Sequence, residues 1–553
     1  MPGAAVLALL VLGGSWILWK VIRPFVFKST LDRLPGPPNQ SFLYGNLKQV
    51  YQKDGWAFHK TLGEYDRVCA LHGKFGASAG QASKMLYVFD PLAMHAIAVK
   101  EAYVYDEAQW FLRANSIALG PGLLGTTGEQ HRRQRKMLGP AFNNAHMRDM
   151  MPTFYEVIHK LRQAIENTLD AQKSDTVEIN MVNWMGRVAL ELIGQSGLGH
   201  SFDPLLEDGV DDYGTALKHF IPALFSFSAL IQFCHYMEAA IPAPFRRWVA
   251  ERVPSKRARK LRGLIDTMHA CSVKIFEEKK AALARGDEDM KEKMSHGKDI
   301  MSILLRANMD ADSVDRLTDD ELIGQMSTLI IAGMDTTSNA LSMTLHFLAQ
   351  HPEVQQKLRE ELLEAQTSNH GDDIPFDQLT SLPYLDAVCR ETLRVRPPSP
   401  FRFRETREDV VLPLSAPVRA RDGTLLSALP LPKGTTVFVG LLSTNTHKAH
   451  WGADADAWRP ERWLAPLPAP LLDAKIPGVY SNVMTFWGGG RACIGFKFSQ
   501  LEMKTVLAVL VSRFTFELTE KPIQWNIAGV IYPTVGTDTS PALPMKVGLA
   551  KKA

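Results

Sequence analysis

The run from Asp319 to Gln350 contains no proline, and it opens on Thr318-Asp319-Asp320-Glu321. A threonine followed three residues later by glutamate can cap a helix reciprocally. Pro352, just beyond, can start a new helix. A helix over this run would be roughly 48 Å long, enough to cross a whole domain. Its middle reads Ile331-Ala332-Gly333-Met334-Asp335-Thr336-Thr337, an odd choice for a buried helix. Glycine weakens a helix by about 1 kcal/mol against alanine. A threonine hydroxyl can bond back one turn and bend it. A carboxylate between apolar turns is costly unless used or paired. Together these predict a local opening with a small cavity, a hydroxyl and an acid. The alternative is a kinked helix with a surface aspartate.

A second segment carries chemistry. Phe486-Trp487-Gly488-Gly489-Gly490-Arg491-Ala492-Cys493-Ile494-Gly495 precedes Phe498-Ser499-Gln500-Leu501-Glu502-Met503-Lys504, which has helical character. Consecutive glycines let backbone amides approach whatever Cys493 binds. A helix starting after the cysteine, with Arg491 nearby, favours thiolate over thiol and lowers a reference pKa of about 8.5. No histidine is near in sequence to act as a base, which favours a ligand over a nucleophile. Cys69, Cys234, Cys271 and Cys389 have no such setting and read as small buried hydrophobes. Five cysteines without a C-x-x-C pair argue against a disulfide framework or a thiolate zinc site, and for a reducing compartment.

Two motifs of other enzymes are refused. Gly120-Pro121-Gly122-Leu123-Leu124-Gly125 matches the dinucleotide pattern G-x-G-x-x-G, but no strand composition precedes it, and Thr126-Thr127-Gly128 is poor helix material. Gly76-Ala77-Ser78-Ala79-Gly80 matches the serine-hydrolase elbow. Met85-Leu86-Tyr87-Val88-Phe89 follows it with a strand composition, so a hairpin turn is expected.

At the N-terminus, Ala4 to Trp19 is uncharged and mostly apolar, and Lys20, Arg23, Lys28 and Arg33 all follow it. Positions 1 to 12 carry no charged side chain, unlike the n-region of a cleaved signal peptide. The expectation is an uncleaved anchor over 1–24 with the body on the cytosolic side. Leu34-Pro35-Gly36-Pro37-Pro38 reads as a stiff spacer within a basic, proline-rich linker over 25–45. Lys plus Arg is 62 against 59 Asp plus Glu, a net +3 that gives no global field for nucleic acid.

With these segments in hand, the chain resembles the cytochrome P450 family of haem-thiolate monooxygenases, in its membrane-anchored, fungal-type branch. The cysteine loop fits F-x-x-G-x-R-x-C-x-G through Phe486, Gly489, Arg491, Cys493 and Gly495. The oxygen-activation motif stands as Ala332-Gly333-Met334-Asp335-Thr336-Thr337. The E-x-x-R pair is Glu391-Thr392-Leu393-Arg394, and its partner segment is Trp458-Arg459-Pro460-Glu461-Arg462-Trp463.

The resemblance implies a mainly α fold with small β-sheets (α+β), a single haem domain over 46–553 behind the N-terminal helix. It implies haem b held by Cys493 on the iron, with O2 as co-substrate and NADPH used through a reductase partner. Glu391, Arg394 and Arg462 would form a buried triad that locks the cysteine loop. Arg491, the pair His131 and Arg135, and Arg404 would hold the haem propionates, with Arg402 a rival to Arg404. Asp335 and Thr336 would deliver protons during dioxygen activation. The reductase would dock on a patch of Arg132, Arg133, Lys136, Lys497 and Lys504.

Candidate pocket walls are Gln109-Trp110-Phe111, Leu123-Leu124, Ile330-Ile331-Ala332, Pro398 to Phe401 and Ile531-Tyr532. They are mainly apolar and predict a lipophilic substrate, a terpenoid, aromatic or other secondary metabolite or xenobiotic. A fatty acid is the competing substrate. A non-catalytic haem sensor and a serine hydrolase at Ser78 are the competing classes. The apolar stretch Phe220 to Pro244 could dip into a membrane or sit in the core. The expected location is the endoplasmic reticulum membrane.

Overall fold

The computed structural model describes residues 14, 15 and 19 and residues 30–550, except 42–43, 52–54, 79–80, 204, 206–216, 218–219, 222, 225–226, 228–240 and 286–298. Most of the anchor over 1–24, Cys234 and most of Phe220 to Pro244 lie outside the described residues. Among those described, no helix is long and apolar enough to cross a membrane.

The long helix forms over Asp319–Gln350, 32 residues, with the capping box made in both directions by Thr318 and Glu321. It is α-helical without interruption through Ala332–Thr337, so the expected opening of the helix is corrected. The Thr336 hydroxyl donates to the Ala332 carbonyl at 2.7 Å, which satisfies it inside the regular ladder. Gly333 has a packing reason. A Cβ there would stand 3.0 Å from Cγ1 of Ile193, on the π-helical turn Ile193–Leu198. The glycine admits a neighbouring helix instead of breaking its own.

Helices Met181–Leu192 and Lys256–Arg285 pack on this axis, and Pro383–Val395 and Phe496–Arg513 pack on it from the cysteine-loop side. The β structure is small. Strands Val68–Ser78, Gln81–Val88, Thr436–Gly440, Phe401–Thr406 and Tyr105–Asp106 lie side by side in that order, with a parallel pairing only between the second and third. Ser78 pairs with Gln81, so the elbow-like glycines do close a hairpin, and no helix follows Ser78. Three further sheets have three, two and two strands. The architecture is mainly helical with small sheets, as expected.

The dinucleotide-like motif also has a physical account. A helix, Gln109–Leu119, precedes Gly120-Pro121-Gly122 where a dinucleotide site needs a strand. A Cβ on Gly122 would meet the Gly324 carbonyl oxygen at 2.4 Å, and one on Gly324 would meet the Gly122 amide nitrogen at 2.7 Å. The glycines let this loop cross the long helix backbone to backbone.

The proline segment does not stand off as a spacer. Leu34 is fully buried, the Pro35 carbonyl accepts from the Ala70 amide at 2.9 Å, and the Leu34 carbonyl accepts from Arg421 at 2.9 Å. A Cβ on Gly36 would lie 2.0 Å from the Ala70 carbonyl oxygen. Proline cannot donate to a ladder, but its carbonyl still accepts, so the segment lies along the edge of the first strand.

Candidate functional site

The cysteine loop is threaded between other backbone segments. A Cβ on Gly488 would sit 2.0 Å from the Pro477 carbonyl oxygen, and one on Gly489, at φ +62°, would sit 2.0 Å from that of Ala98. These two glycines have a packing reason of their own within the loop; Gly490 meets nothing within 4 Å. The Cys493 amide donates to the Phe486 carbonyl at 2.9 Å, and helix Phe496–Arg513 starts with Gly495 in the cap position. Phe486 is buried against Tyr480 and Phe496, with ring centroids at 5.6 and 6.0 Å.

Cys493 is solvent-accessible, yet enough protein surrounds it for burial to push its thiol pKa up. Both hold if the sulfur borders an interior cleft. The Gly495 amide, Arg402 and Arg135 pull the other way without prevailing. The expected lowering is therefore reversed in the protein alone, because desolvation outweighs the helix terminus. Ala332 shares this exposure. It is accessible in the middle of the long helix, whose neighbouring residues Ile331 and Met334 are buried. Thr336, one turn on, is half-buried. Asp335 has the opposite setting, 4% exposed, with its carboxylate accepting from Asn339 at 3.1 Å. Next to it, Thr337 and Ser499 join the two helices through hydroxyls 3.1 Å apart.

Helix Gly128–Leu138 brings His131 and Arg135 to the loop. Arg135 donates to the Ala492 carbonyl at 2.6 Å. Arg491 donates to the Thr126 carbonyl and pairs with Asp106, each at 3.1 Å. Arg404 is 2% exposed, pairs with Glu107 at 2.9 Å and lies 4.4 Å over the Trp487 ring. Arg402, two residues earlier on the same strand, donates to the Ser399 hydroxyl. These groups feel one another. Burial first, then Arg491, Arg135 and Arg404 depress the pKa of His131 to about 3, against Asp106, so its ring is neutral. Arg402 and Arg404 are themselves pulled down by burial. Four arginines thus face two carboxylates, which leaves two cations in surplus beside one soft sulfur donor. That donor set fits a flat group carrying two carboxylates and an iron.

The triad is formed. Arg394 grips Glu391 through two bonds of 2.8 and 2.7 Å, and Arg462 approaches it at 3.4 Å. All three are buried. Trp463 adds a bond to Glu391 at 3.0 Å, and Asp454 takes a further bond from Arg462 at 3.1 Å.

The expected five-charge patch is not formed. Lys504 is 3% exposed and bound to Asp386 at 2.7 Å. Arg133 is held at 2.9 Å by the buried Glu321, which also takes bonds from Gln130 and Gln134. Lys136 is paired with Asp315 at 2.7 Å. Arg132 has Glu129 at 3.5 Å. A carboxylate within reach of each thus counters four of the five charges, leaving Lys497. Of the expected pocket walls, Ile330, Ile531 and Phe401 are core residues, with Phe401 stacked on His59 at 4.8 Å. Trp110, Phe111, Leu123 and Leu124 are half-buried. Asp106, Glu107 and Asn445 went unnoticed in the sequence, and Glu321 was read there only as a helix cap. Asp106 and Arg491 are 385 positions apart, and no local spacing signals such a pair.

The cytochrome P450 family model matches residues 35–534. The chain belongs to the cytochrome P450 family. A cytochrome P450 monooxygenase of Postia placenta is 50% identical over 98% of both chains. The ganoderic acid synthetase of Ganoderma lucidum is 46% identical over 99% of both. A cytochrome P450 monooxygenase of Hericium erinaceus is 35% identical over 100% of this chain and 98% of its own. The chain is a cytochrome P450 monooxygenase, an oxidoreductase of a haem-dependent, O2-using family.

Proposed function

We propose that this P450 inserts one oxygen atom from O2 into a lipophilic small molecule, with Cys493 as ligand to the haem iron and electrons drawn from NADPH through a reductase. The observation that carries the reading is the accessible Cys493 beside two half-buried arginines, Arg135 and Arg402, in surplus over the carboxylates. Haem, when bound, supplies dioxygen activation and oxidation of an unactivated carbon. The chain's own residues do the rest. Arg135, His131, Arg404 and Arg491 bind the two carboxylates and orient the group. The Gly495 amide donates to the sulfur and tempers its basicity. Thr336 holds a hydroxyl proton on the accessible side of the helix, and Asp335, one residue back, takes up protons on the buried side. The half-buried Trp110, Phe111, Leu123 and Leu124 support an apolar substrate, and the ganoderic acid synthetase supports a secondary metabolite over a fatty acid. Residues 1–24 act as a single-pass anchor in the endoplasmic reticulum membrane, a reading supported by the uncharged run Ala4 to Trp19 with cations after it.

The reduced, CO-treated protein is expected to give the thiolate-type spectrum, and Cys493→Ala to lose it. Retention of that spectrum in Cys493→Ala would overturn the ligand assignment. Difference spectra against a lipophilic library then identify the substrate class.

A further inference from the structure

Helix Pro383–Val395 ends at Arg396, a half-buried residue away from the cysteine loop. Its guanidinium lies 4.3 Å over the ring of Trp56, on helix Gly55–Leu62, and 6.0 Å over that of Phe347, on the long helix. Burial pulls its pKa down to about 10, against an opposing pull from Asp456. Asp456 is itself paired with Lys60 at 3.3 Å. Among the described residues no carboxylate is salt-bridged to Arg396, and its one hydrogen bond goes to the neighbouring Val395 carbonyl at 3.0 Å. Arg359 shows how the same fold satisfies such a group. Likewise without a salt bridge, it donates to the carbonyls of Val511 and Phe514 and to the side chains of Gln355 and Gln356, each at 2.9 Å.

The rings around Arg396 are short of partners too. Trp56 is 8% exposed and His346 9%, and neither Trp56 Nε1 nor His346 Nδ1 has a hydrogen-bond partner among the described residues. The Trp525 ring lies 6.0 Å from that of His346, and its Nε1 is equally enclosed and unpartnered. Trp56, Phe347 and Trp525 belong to one apolar cluster. Burial first, then the charge of Arg396, lowers the pKa of His346 to about 4, so its imidazole is neutral. Enclosed donors without acceptors are costly, and several of them around one unbalanced cation call for the oxygens of an anion.

The charge sum selects the anion. One guanidinium among neutral rings balances a single negative charge, which suits a carboxylate over a doubly charged phosphate. Aromatic walls suit a flat apolar body. Phe347 lies about four turns beyond Ala332 on the long helix, roughly 22 Å along its axis, so the place is distinct from the cleft at Cys493.

We infer that Arg396, with Trp56, His346 and Trp525, forms a binding site for the carboxylate of a small aromatic acid, separate from the haem cleft. The guanidinium fork takes the carboxylate, and the ring nitrogens supply further donors. An acid held there joins helix Gly55–Leu62 to the ends of the two helices that meet at Arg396 and Phe347, and stabilises the folded protein by mass action.

The test uses the full-length holoprotein, with benzoate as probe and benzamide as its uncharged counterpart. Calorimetric titration should show saturable benzoate binding at one site per chain, with benzamide weaker by roughly tenfold or more. Arg396→Met keeps an apolar stem over Trp56 and removes the charge, and should weaken benzoate by a similar factor. Trp56→Phe keeps a ring under the guanidinium and removes the N–H, and should weaken it severalfold. An unaltered CO spectrum shows that each variant is folded. Clotrimazole, which coordinates haem iron, should leave benzoate affinity unchanged. The inference is overturned by an absence of saturable benzoate binding, by equal affinity for benzamide, or by unchanged affinity in Arg396→Met. Displacement of benzoate by clotrimazole would overturn it by placing the acid in the haem cleft, and tighter binding of inorganic phosphate than of benzoate would overturn the choice of a carboxylate.

Discussion

Arg394 reaches the cysteine loop through Asn445, whose carbonyl accepts from its guanidinium at 2.9 Å. The Asn445 side chain in turn donates to Thr485 at 3.0 Å and accepts from the Met484 amide at 2.8 Å. Phe486 follows, and its carbonyl holds the Cys493 amide. The buried triad is thus bonded to the sulfur's own loop in four steps. Asn445→Ala leaves the Met484 amide without its partner, while the Thr485 hydroxyl keeps the Leu393 carbonyl, at about 1–3 kcal/mol. Denaturant unfolding should show that loss, and haem should transfer faster to an acceptor protein. Glu391→Gln is expected to cost more, about 3–5 kcal/mol, by leaving the buried Arg394 without a carboxylate, while Arg462 keeps Asp454. Unchanged haem transfer in Asn445→Ala would break the proposed connection.

Thr336→Ala removes a hydroxyl whose bond is to Ala332, within its own helix. Haem content and thermal stability should stay near those of the parent, since alanine is the better helix former. Product formed per NADPH should fall by roughly tenfold or more while hydrogen peroxide rises, and Thr336→Ser should restore much of the coupling. Equal coupling in all three proteins would remove Thr336 from proton delivery.

Gly333 is placed by its neighbour Ile193. Gly333→Val should destabilise by about 1–3 kcal/mol through overpacking. Adding Ile193→Ala makes room, so the double variant should lose less than the two single losses together. Strict additivity in unfolding titrations would mean that another contact sets the limit.

His59 is fully buried, with Nε2 3.3 Å from the Val50 carbonyl and its ring on Phe401. Burial lowers its pKa from 6.5 to about 4, against the carbonyl's opposing pull. The unfolded chain therefore binds a proton that the folded chain refuses between those values. Stability from this group is complete above pH 6.5 and is lost as pH falls toward 4. The loss is on the order of 3 kcal/mol. His59→Phe should flatten the fall in stability over that range. An identical slope in parent and variant would place the titration elsewhere.

Local signals were legible where the chain's own neighbours decide the outcome. The Thr318–Glu321 box, the helix ending before Pro397 and the helix after Cys493 all form where their sequence patterns put them. The triad was legible only through the family motif, since Glu391 and Arg462 lie 71 positions apart. What could not be read depends on unrelated segments meeting. Gly333 resembles a helix flaw until Ile193 is set against it. Lys504 resembles a surface charge until Asp386 arrives, and Arg133 until Glu321 does. The reversed Cys493 pKa follows from enclosure, a quantity no local pattern contains.

The docking of Leu34 to Gly36 along the first strand also bears on how the body can swivel. With the Pro35 carbonyl tied to Ala70 and Arg421 tied to Leu34, these residues turn with the sheet. No pivot between the body and the residues before it can lie within Leu34 to Gly36. The chain therefore joins the sheet at a fixed point, and that point sets which edge of the molecule lies nearest the leading segment.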